Sequence, residues 1–229
     1  MKVFSVKKEQ LLILLYSVVI LAGVYTIYNN RAIATFSMPV SKKVILVDAG
    51  HGGWDPGKVG AEDTLEKDIN LQIAKKLQVY LEQGGSYVLM TRVEDEALGD
   101  KKNSDMKGRK EIANNSNADM LISIHQNSYS VENVIGAQVF YYEGSEESKT
   151  LAESIQGEIS EFTKQKKNRE AKSNESYFVL KQTNIPAVIV ECGFLSNPEE
   201  RAMLSDDEYQ EKMAWAIYKG IIKYYSDFT

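Results

Sequence analysis

The chain reads as an α/β protein built on a mostly parallel sheet, and three observations predict this. Val44-Ile45-Leu46-Val47, Met120-Leu121-Ile122-Ser123-Ile124 and Ala187-Val188-Ile189-Val190 are short, near-continuous apolar runs, the pattern of interior strands covered by helices on both faces. Segments with apolar residues at helical spacing alternate with them, as βαβ units require. Each run leads to a residue suited to metal or acid–base chemistry, namely His51, His125 and Glu191, and the histidines are the chain's only two. Ligands of open α/β sheets bind beyond the carboxyl ends of the strands, so these three residues are expected to converge. The pattern points to a metal-dependent hydrolase.

The elements follow in order. After Lys2, Lys7 and Lys8, the stretch Leu11 to Tyr28 is almost wholly apolar and long enough to cover most of a bilayer core of roughly 30 Å. It has no polar face, so a buried core helix is a poor reading. The basic flank keeps the amino end inside and places the rest of the chain outside the membrane. Ala32-Ile33-Ala34 fits a signal-peptidase site, but the apolar stretch exceeds a usual signal core and favours an uncleaved anchor. The expected organisation is an anchor or signal segment over 1–30, a linker over 31–42 containing Pro39, and one catalytic domain over 43–229. That is as much as 229 residues accommodate.

Within the domain, a first strand from Lys43 to about Asp48 breaks into the glycine-rich turn Gly50-His51-Gly52-Gly53. Leu65, Ile69, Ile73, Leu77 and Leu81 mark one face of a helix that Gly84-Gly85 ends. Strands are expected at Tyr87–Thr91, Asp119–Ile124 and Ala137–Tyr142, and helices over Met106–Asn117 and Ser145–Lys166. A charged loop, Lys166–Glu170, and a short helix at Tyr177–Leu180 lead to the last core strand. Tyr209, Met213, Ala216, Ile217, Ile221 and Tyr224 give a closing amphipathic helix. Five strands are visible in this way.

Composition excludes some functions. The net charge is −5, acidic and basic residues are interspersed, and no basic block interleaves with aromatics, so nucleic acid is not an expected partner. The single cysteine, Cys192, rules out an intramolecular disulfide and the common cysteine-based zinc frameworks. Next to Glu191 on a strand, its sulfur should point to the opposite face from the carboxylate and pack in the core.

Two histidines and one glutamate, with a fourth position left open, are a standard hydrolytic zinc set. Glu66 is the acidic residue best placed as the third ligand, but it is also where a capping box would put a glutamate, and Asp48, Asp55, Glu62 and Asp63 compete. Glu191, at the end of a buried strand, needs a cation or an arginine such as Arg92 or Arg169. Otherwise it serves as a general base that takes a proton from water and passes it to the leaving nitrogen. Tyr129, Tyr141, Tyr142 and Tyr177 are candidates for lining a glycan groove, although aromatics at strand ends more often pack.

The order Asp48-Ala49-Gly50-His51-Gly52-Gly53, Glu66, Thr91-Arg92, Arg109 with Ala113-Asn114, Ser123-Ile124-His125, Asn127 and Pro186-Ala187-Val188-Ile189-Val190-Glu191-Cys192-Gly193-Phe194-Leu195-Ser196-Asn197 resembles the zinc-dependent N-acetylmuramoyl-L-alanine amidases of the Amidase_3 type. The resemblance spans about Val44 to Tyr225. It implies a mixed, mostly parallel six-stranded sheet flanked by helices on both faces. It further implies a Zn2+ ion held by His51, Glu66 and His125, and Glu191 as the catalytic carboxylate. Carried over similarly, Arg169 matches a family arginine near the site, and Asn127 and Gln126 are expected at the substrate. Gln126 stands where many relatives have a small residue, and Cys192 where Thr or Ala is usual. A short anchored domain without wall-binding repeats looks most like the CwlD-type spore-cortex branch. That likeness implies removal of stem peptides from cortex peptidoglycan ahead of muramic-δ-lactam formation, and an accessory lipoprotein as a partner. The alternatives are a zinc peptidase acting on the stem peptide and an inactive wall-binding scaffold.

Overall fold

The computed structural model describes residues 7–29, 38–163 and 169–227. The chain divides into two compact units, Met1–Phe36 and Ser37–Thr229. The first holds α1 (Lys8–Asn29), whose 22 residues extend roughly 33 Å. Its window Lys8–Tyr25 has a mean hydropathy of 1.5 and no buried residue, so by length and composition this helix can cross a membrane. The signal-peptidase pattern at Ala32-Ile33-Ala34 lies outside the described residues, as does most of the expected linker.

The second unit is a six-stranded sheet of β1 (Val44–Ala49), β2 (Tyr87–Met90), β3 (Met120–Asn127), β4 (Gln138–Tyr141), β5 (Lys172–Ser173) and β6 (Ala187–Phe194), in the order β2-β1-β3-β6-β4-β5. β2, β1, β3 and β6 are mutually parallel, β4 runs antiparallel to β6, and β5 parallels β4. The mixed, mostly parallel, helix-flanked sheet is therefore as expected. Its sixth strand is two residues long and carries no apolar signal.

Alternation along the strands splits the interior in two. Ile45, Val47 and Ala49 of β1, Met120, Ile122 and Ile124 of β3, and Val188, Val190 and Cys192 of β6 pack with α2 (Glu66–Gln83), α4 (Glu146–Thr163) and α7 (Asp207–Asp227). The intervening residues Leu46, Leu121, Ala187 and Ile189 face α3 (Lys102–Asn115) and α5 (Phe178–Gln182) in a smaller cluster. Cys192 is fully buried in the larger cluster, as its place on the strand predicts.

Two helices depart from expectation. α3 begins at Lys102 rather than Met106, because its first turn is polar and is closed by the Lys101 amide, which donates to Ser104 Oγ at 3.0 Å. α6 (Pro198–Leu204) has no counterpart among the expected elements; Asn197 caps it through the Glu200 amide at 2.9 Å, with Pro198 at the first turn. α4 ends at Thr163, and residues 164–168, which include the end of the expected helix and the start of the charged loop, lie outside the described residues. At the other end of the sheet, the chain enters beside the start of β1: Val40 is fully buried, its carbonyl accepts from Ser86 Oγ, and Lys42 donates to the Gly85 carbonyl.

Candidate metal centre and catalytic cleft

The site is built at the carboxyl ends of β1, β3 and β6. Past β1 the chain turns through His51, whose φ of 61° is left-handed and strained for a residue with a side chain. Two buried arginines hold this turn. Arg92 donates to the carbonyls of Ala49 at 2.9 Å, Gly50 at 3.2 Å and Lys67 at 2.7 Å. Arg109, from α3, donates to the carbonyls of Ala49 at 2.9 Å and His51 at 2.7 Å. Guanidinium groups suit the task because each offers several donors in a fixed plane.

Arg109 is itself fixed by Asp48 and by Asp105 at 2.7 Å, and Asp48 also accepts from Thr91 and Ser123. Burial opposes ionisation of Asp48, but Arg109 and these hydroxyls overcome it and lower the carboxyl to about 2. The motif residues Asp48, Thr91-Arg92, Arg109 and Ser123 thus form one buried network under the histidine turn.

Glu66 is the first residue of α2, not its third, and the helix has no side-chain cap, so the capping-box reading does not hold. Its carboxylate turns inward. Oε2 accepts from the Lys58 amide at 2.7 Å, and Oε1 accepts from the Gln126 amide at 3.1 Å and Asn70 Nδ2 at 3.3 Å. Oε1 also lies 3.2 Å from His51 Nε2 and 3.0 Å from His125 Nδ1. Burial works against the charged Glu66, yet His125 and His51 hold its carboxyl far below the usual carboxylate range.

The other nitrogen of His51, Nδ1, is bound by Asp55 Oδ2 at 2.9 Å. Although burial opposes it, the hydrogen bond and charge of Glu66 and then of Asp55 raise His51 to about 9. The site is therefore one that attracts positive charge. Ligand atoms of His51, Glu66 and His125 all lie within 4.8 Å of one another. Two imidazole nitrogens and one carboxylate oxygen, partly exposed and with a carboxylate behind one ring, are a donor set that suits a metal ion.

Close backbone approach is what brings these groups together. A Cβ on Gly50 would lie 2.2 Å from the His125 ring, and one on Gly57, whose φ is 66°, would lie 2.6 Å from Glu66 Oε2.

Glu191 is buried on β6, its Cα paired with His125 in register. Among the described residues no arginine pairs with it: Arg92 serves the histidine turn, and Arg169 bonds the Ile135 carbonyl and Gln138 and lies over the Phe194 ring at 5.0 Å. The Tyr177 hydroxyl donates to Oε1 at 3.3 Å, and Oε2 has no hydrogen-bond partner. Burial pushes the carboxyl up to about 7; the charge of His125 opposes this, that of Glu66 adds to it, and the Tyr177 bond opposes it. A carboxyl poised there both accepts and returns a proton near neutrality.

A cleft of about 290 Å³ joins these groups, lined among others by His51, Asp55, Glu66, His125, Asn127, Tyr177 and Glu191. That volume fits a scissile amide and its immediate neighbours. Asn127 borders the cleft while its Oδ1 accepts from the Ser128 amide. Gln126 also borders it, but its side chain is 3% exposed and donates to Asn70 behind Glu66. Arg169 is not among the lining residues. Two further residues take parts that their sequence positions do not indicate: Asp55 stands behind His51, and Tyr177, while lining the cleft, also donates to Glu191.

Residues 45–223 match the Amidase_3 family, N-acetylmuramoyl-L-alanine amidase. The chain belongs to that family. This amidase is 36% identical over 211 residues to the germination-specific N-acetylmuramoyl-L-alanine amidase of Bacillus subtilis, covering 89% of this chain and 88% of that one. It superposes with a TM-score of 0.78 and 45% identity on the CwlD amidase of Clostridioides difficile, solved in complex with the GerS lipoprotein; the match covers 81% of this chain and 100% of that one. It is also 34% identical over 193 residues to the probable cell wall amidase LytH of Staphylococcus aureus, covering 82% of this chain but 60% of that longer protein. The enzyme is an N-acetylmuramoyl-L-alanine amidase acting on cell-wall peptidoglycan, and its site is extracytoplasmic.

Proposed function

We propose that this amidase cleaves the bond between the lactyl group of N-acetylmuramic acid and L-alanine with zinc held by His51, Glu66 and His125 and with Glu191 as general base. The observation that carries this reading is the approach of three ligand atoms within 4.8 Å of one another at the end of strands that also carry the buried, incompletely bonded Glu191. When bound, zinc supplies Lewis-acid polarisation of a carbonyl and lowers the pKa of a water molecule to about 7. Glu191 takes the proton from the attacking water and returns it to the departing nitrogen, for which a carboxyl near 7 is suited. Asp55 holds His51 Nδ1 and so leaves Nε2 to face Glu66. Of the expected substrate contacts, Asn127 and Gln126 border the cleft, with the Gln126 amide turned to Asn70, while Arg169 is not among its lining residues.

The substrate is spore-cortex peptidoglycan and the place of action the developing spore. Likeness to a germination-specific amidase and to CwlD supports this. α1 anchors the enzyme to the membrane, and an accessory lipoprotein assists it; the complex formed by the CwlD neighbour supports the latter. The test is digestion of purified peptidoglycan by residues 38–229 with zinc, with chelator, and with Glu191→Gln, reading products by mass. Zinc-dependent release of peptides beginning with L-alanine, lost in the variant, is expected. Release that persists in chelator would sink the metal assignment, and activity gained only on adding the lipoprotein would establish the partner.

A further inference from the structure

The turn that carries His51 also carries a tryptophan that the chemistry does not use. Residues 52–55 close on themselves, the Gly52 amide donating to the Asp55 carbonyl at 3.0 Å and the Asp55 amide to the Gly52 carbonyl at 3.1 Å, so Trp54 stands at the tip. Gly53 is tied to the body of the domain, its amide donating to Asp95 Oδ1 at 2.7 Å and its carbonyl accepting from Lys67 Nζ at 2.8 Å. The Trp54 indole N–H donates to the Gly99 carbonyl at 2.7 Å, on the loop leading into α3, whose first residue, Lys102, lines the cleft. Asp55, the residue after Trp54, lines it too. Trp54 is therefore a rim residue whose one side-chain polar atom is satisfied and whose ring is fixed in place, yet it is 51% exposed. Trp215, also exposed, packs against the rings of Tyr80 and Tyr218; among the described residues no aromatic ring pairs with Trp54.

Single exposed apolar residues are ordinary on a protein surface, so position has to decide. The scissile amide joins the stem peptide to a sugar through a short lactyl bridge, and a cleft of about 290 Å³ has room for the amide but not for the pyranose as well. With the amide between His51 and Glu191, the sugar lies at the mouth, where the exposed indole stands. An N-acetylated, gluco-configured pyranose carries equatorial substituents, so its faces present C–H groups, and the electron-rich face of an indole attracts them. We propose that Trp54 forms a glycan subsite of this amidase, stacking on an N-acetylated sugar of the strand whose stem peptide is being removed. This deepens the reading above and rests on the amide being cut at the His51, Glu66 and His125 centre. The ring is fixed before substrate arrives, so little side-chain entropy is lost on binding. Such a contact holds the sugar equally in ground state and transition state, and so acts on KM and not on kcat.

Two readouts test this. In the full chain carrying Trp215→Phe, Trp54 is the only tryptophan, and its fluorescence is followed in zinc-free protein. Peptide-free glycan strands of peptidoglycan should shift the emission saturably to the blue, and free stem peptide should not. With the zinc-loaded enzyme on soluble, uncrosslinked peptidoglycan strands, Trp54→Ala and Trp54→Leu should raise KM by about 3- to 10-fold, the size of one aromatic contact. Trp54→Phe, which keeps a ring, should recover most of that loss, and kcat and zinc content should stay unchanged in all three. An emission shift caused by stem peptide and not by glycan would put the peptide on this rim and overturn the proposal. So would a KM effect found instead in Tyr129→Ala, which removes the exposed ring next to the cleft residue Ser128. A fall in zinc content or kcat in Trp54→Ala would make Trp54 a support of the histidine turn and overturn it as well. Failure of the unaltered enzyme to release peptide would instead count against the reading of the centre, and the emission titration, which needs no turnover, still decides Trp54.

Discussion

The two faces of the sheet are made by the same strands and do different work. Toward α2, α4 and α7 the strands present Ile45, Val47, Ile122, Ile124, Val188 and Val190, all fully buried and apolar. Toward α3 and α5 the same strands present Asp48, Ser123, His125, Glu191 and only a small apolar cluster. One face carries the stability that hydrophobic burial supplies, and this lets the other hold ionised groups that would be costly to bury unpaired. Substitutions on the two faces should therefore fail in different ways.

The largest effect is expected on the polar face. Arg109→Met leaves Asp48 and Asp105 without their cation and releases the His51 carbonyl, and breaking a buried pair in this way costs about 3–5 kcal/mol. Chemical denaturation should show that loss together with weakened metal uptake. Leu77→Ala, in the opposite core, should cost about 2–5 kcal/mol in the same assay while the metal affinity of the folded fraction is unchanged. A coupled loss of metal binding would break the division of labour.

Acid sharpens the comparison further. Asp48 is lowered to about 2 from 3.8, so its contribution of roughly 2 kcal/mol is fully present above pH 3.8 and is lost as pH falls through 2. Stability of Asp48→Asn should lack that dependence, whereas Leu77→Ala should retain it. The smallest effect concerns Asp55, where Asn substitution should weaken zinc about 10- to 100-fold in a chelator competition, with little change in melting temperature of the zinc-free protein.

How much of this was legible in the sequence follows from the range of the interactions. The strands of the parallel core announced themselves because they are buried on both faces, and His51, His125 and Glu191 were legible because they stand at the ends of those runs. Glu66 was ambiguous from spacing, since an acidic residue opening a helix has a local explanation; only the fold shows its carboxylate turned to both histidines. β5 was invisible because Lys172-Ser173 pairs through its backbone alone. The arginine clamps, and the partners chosen by Asp55 and Tyr177, depend on packing between distant segments, which no local pattern encodes. Gln126 reads locally as a neighbour of the site, but alternation on β3 turns its amide to Asn70 and away from the opening.

The parallel direction of β1, β3 and β6 also separates the two ends of the domain. The chain enters beside the start of β1, where Val40 is stitched to Ser86, and the reactive groups sit past its finish, about 20 Å further on for six residues of strand. The sheet is in this sense a fixed-length spacer between the point where the chain enters the domain and the cleft at the opposite pole.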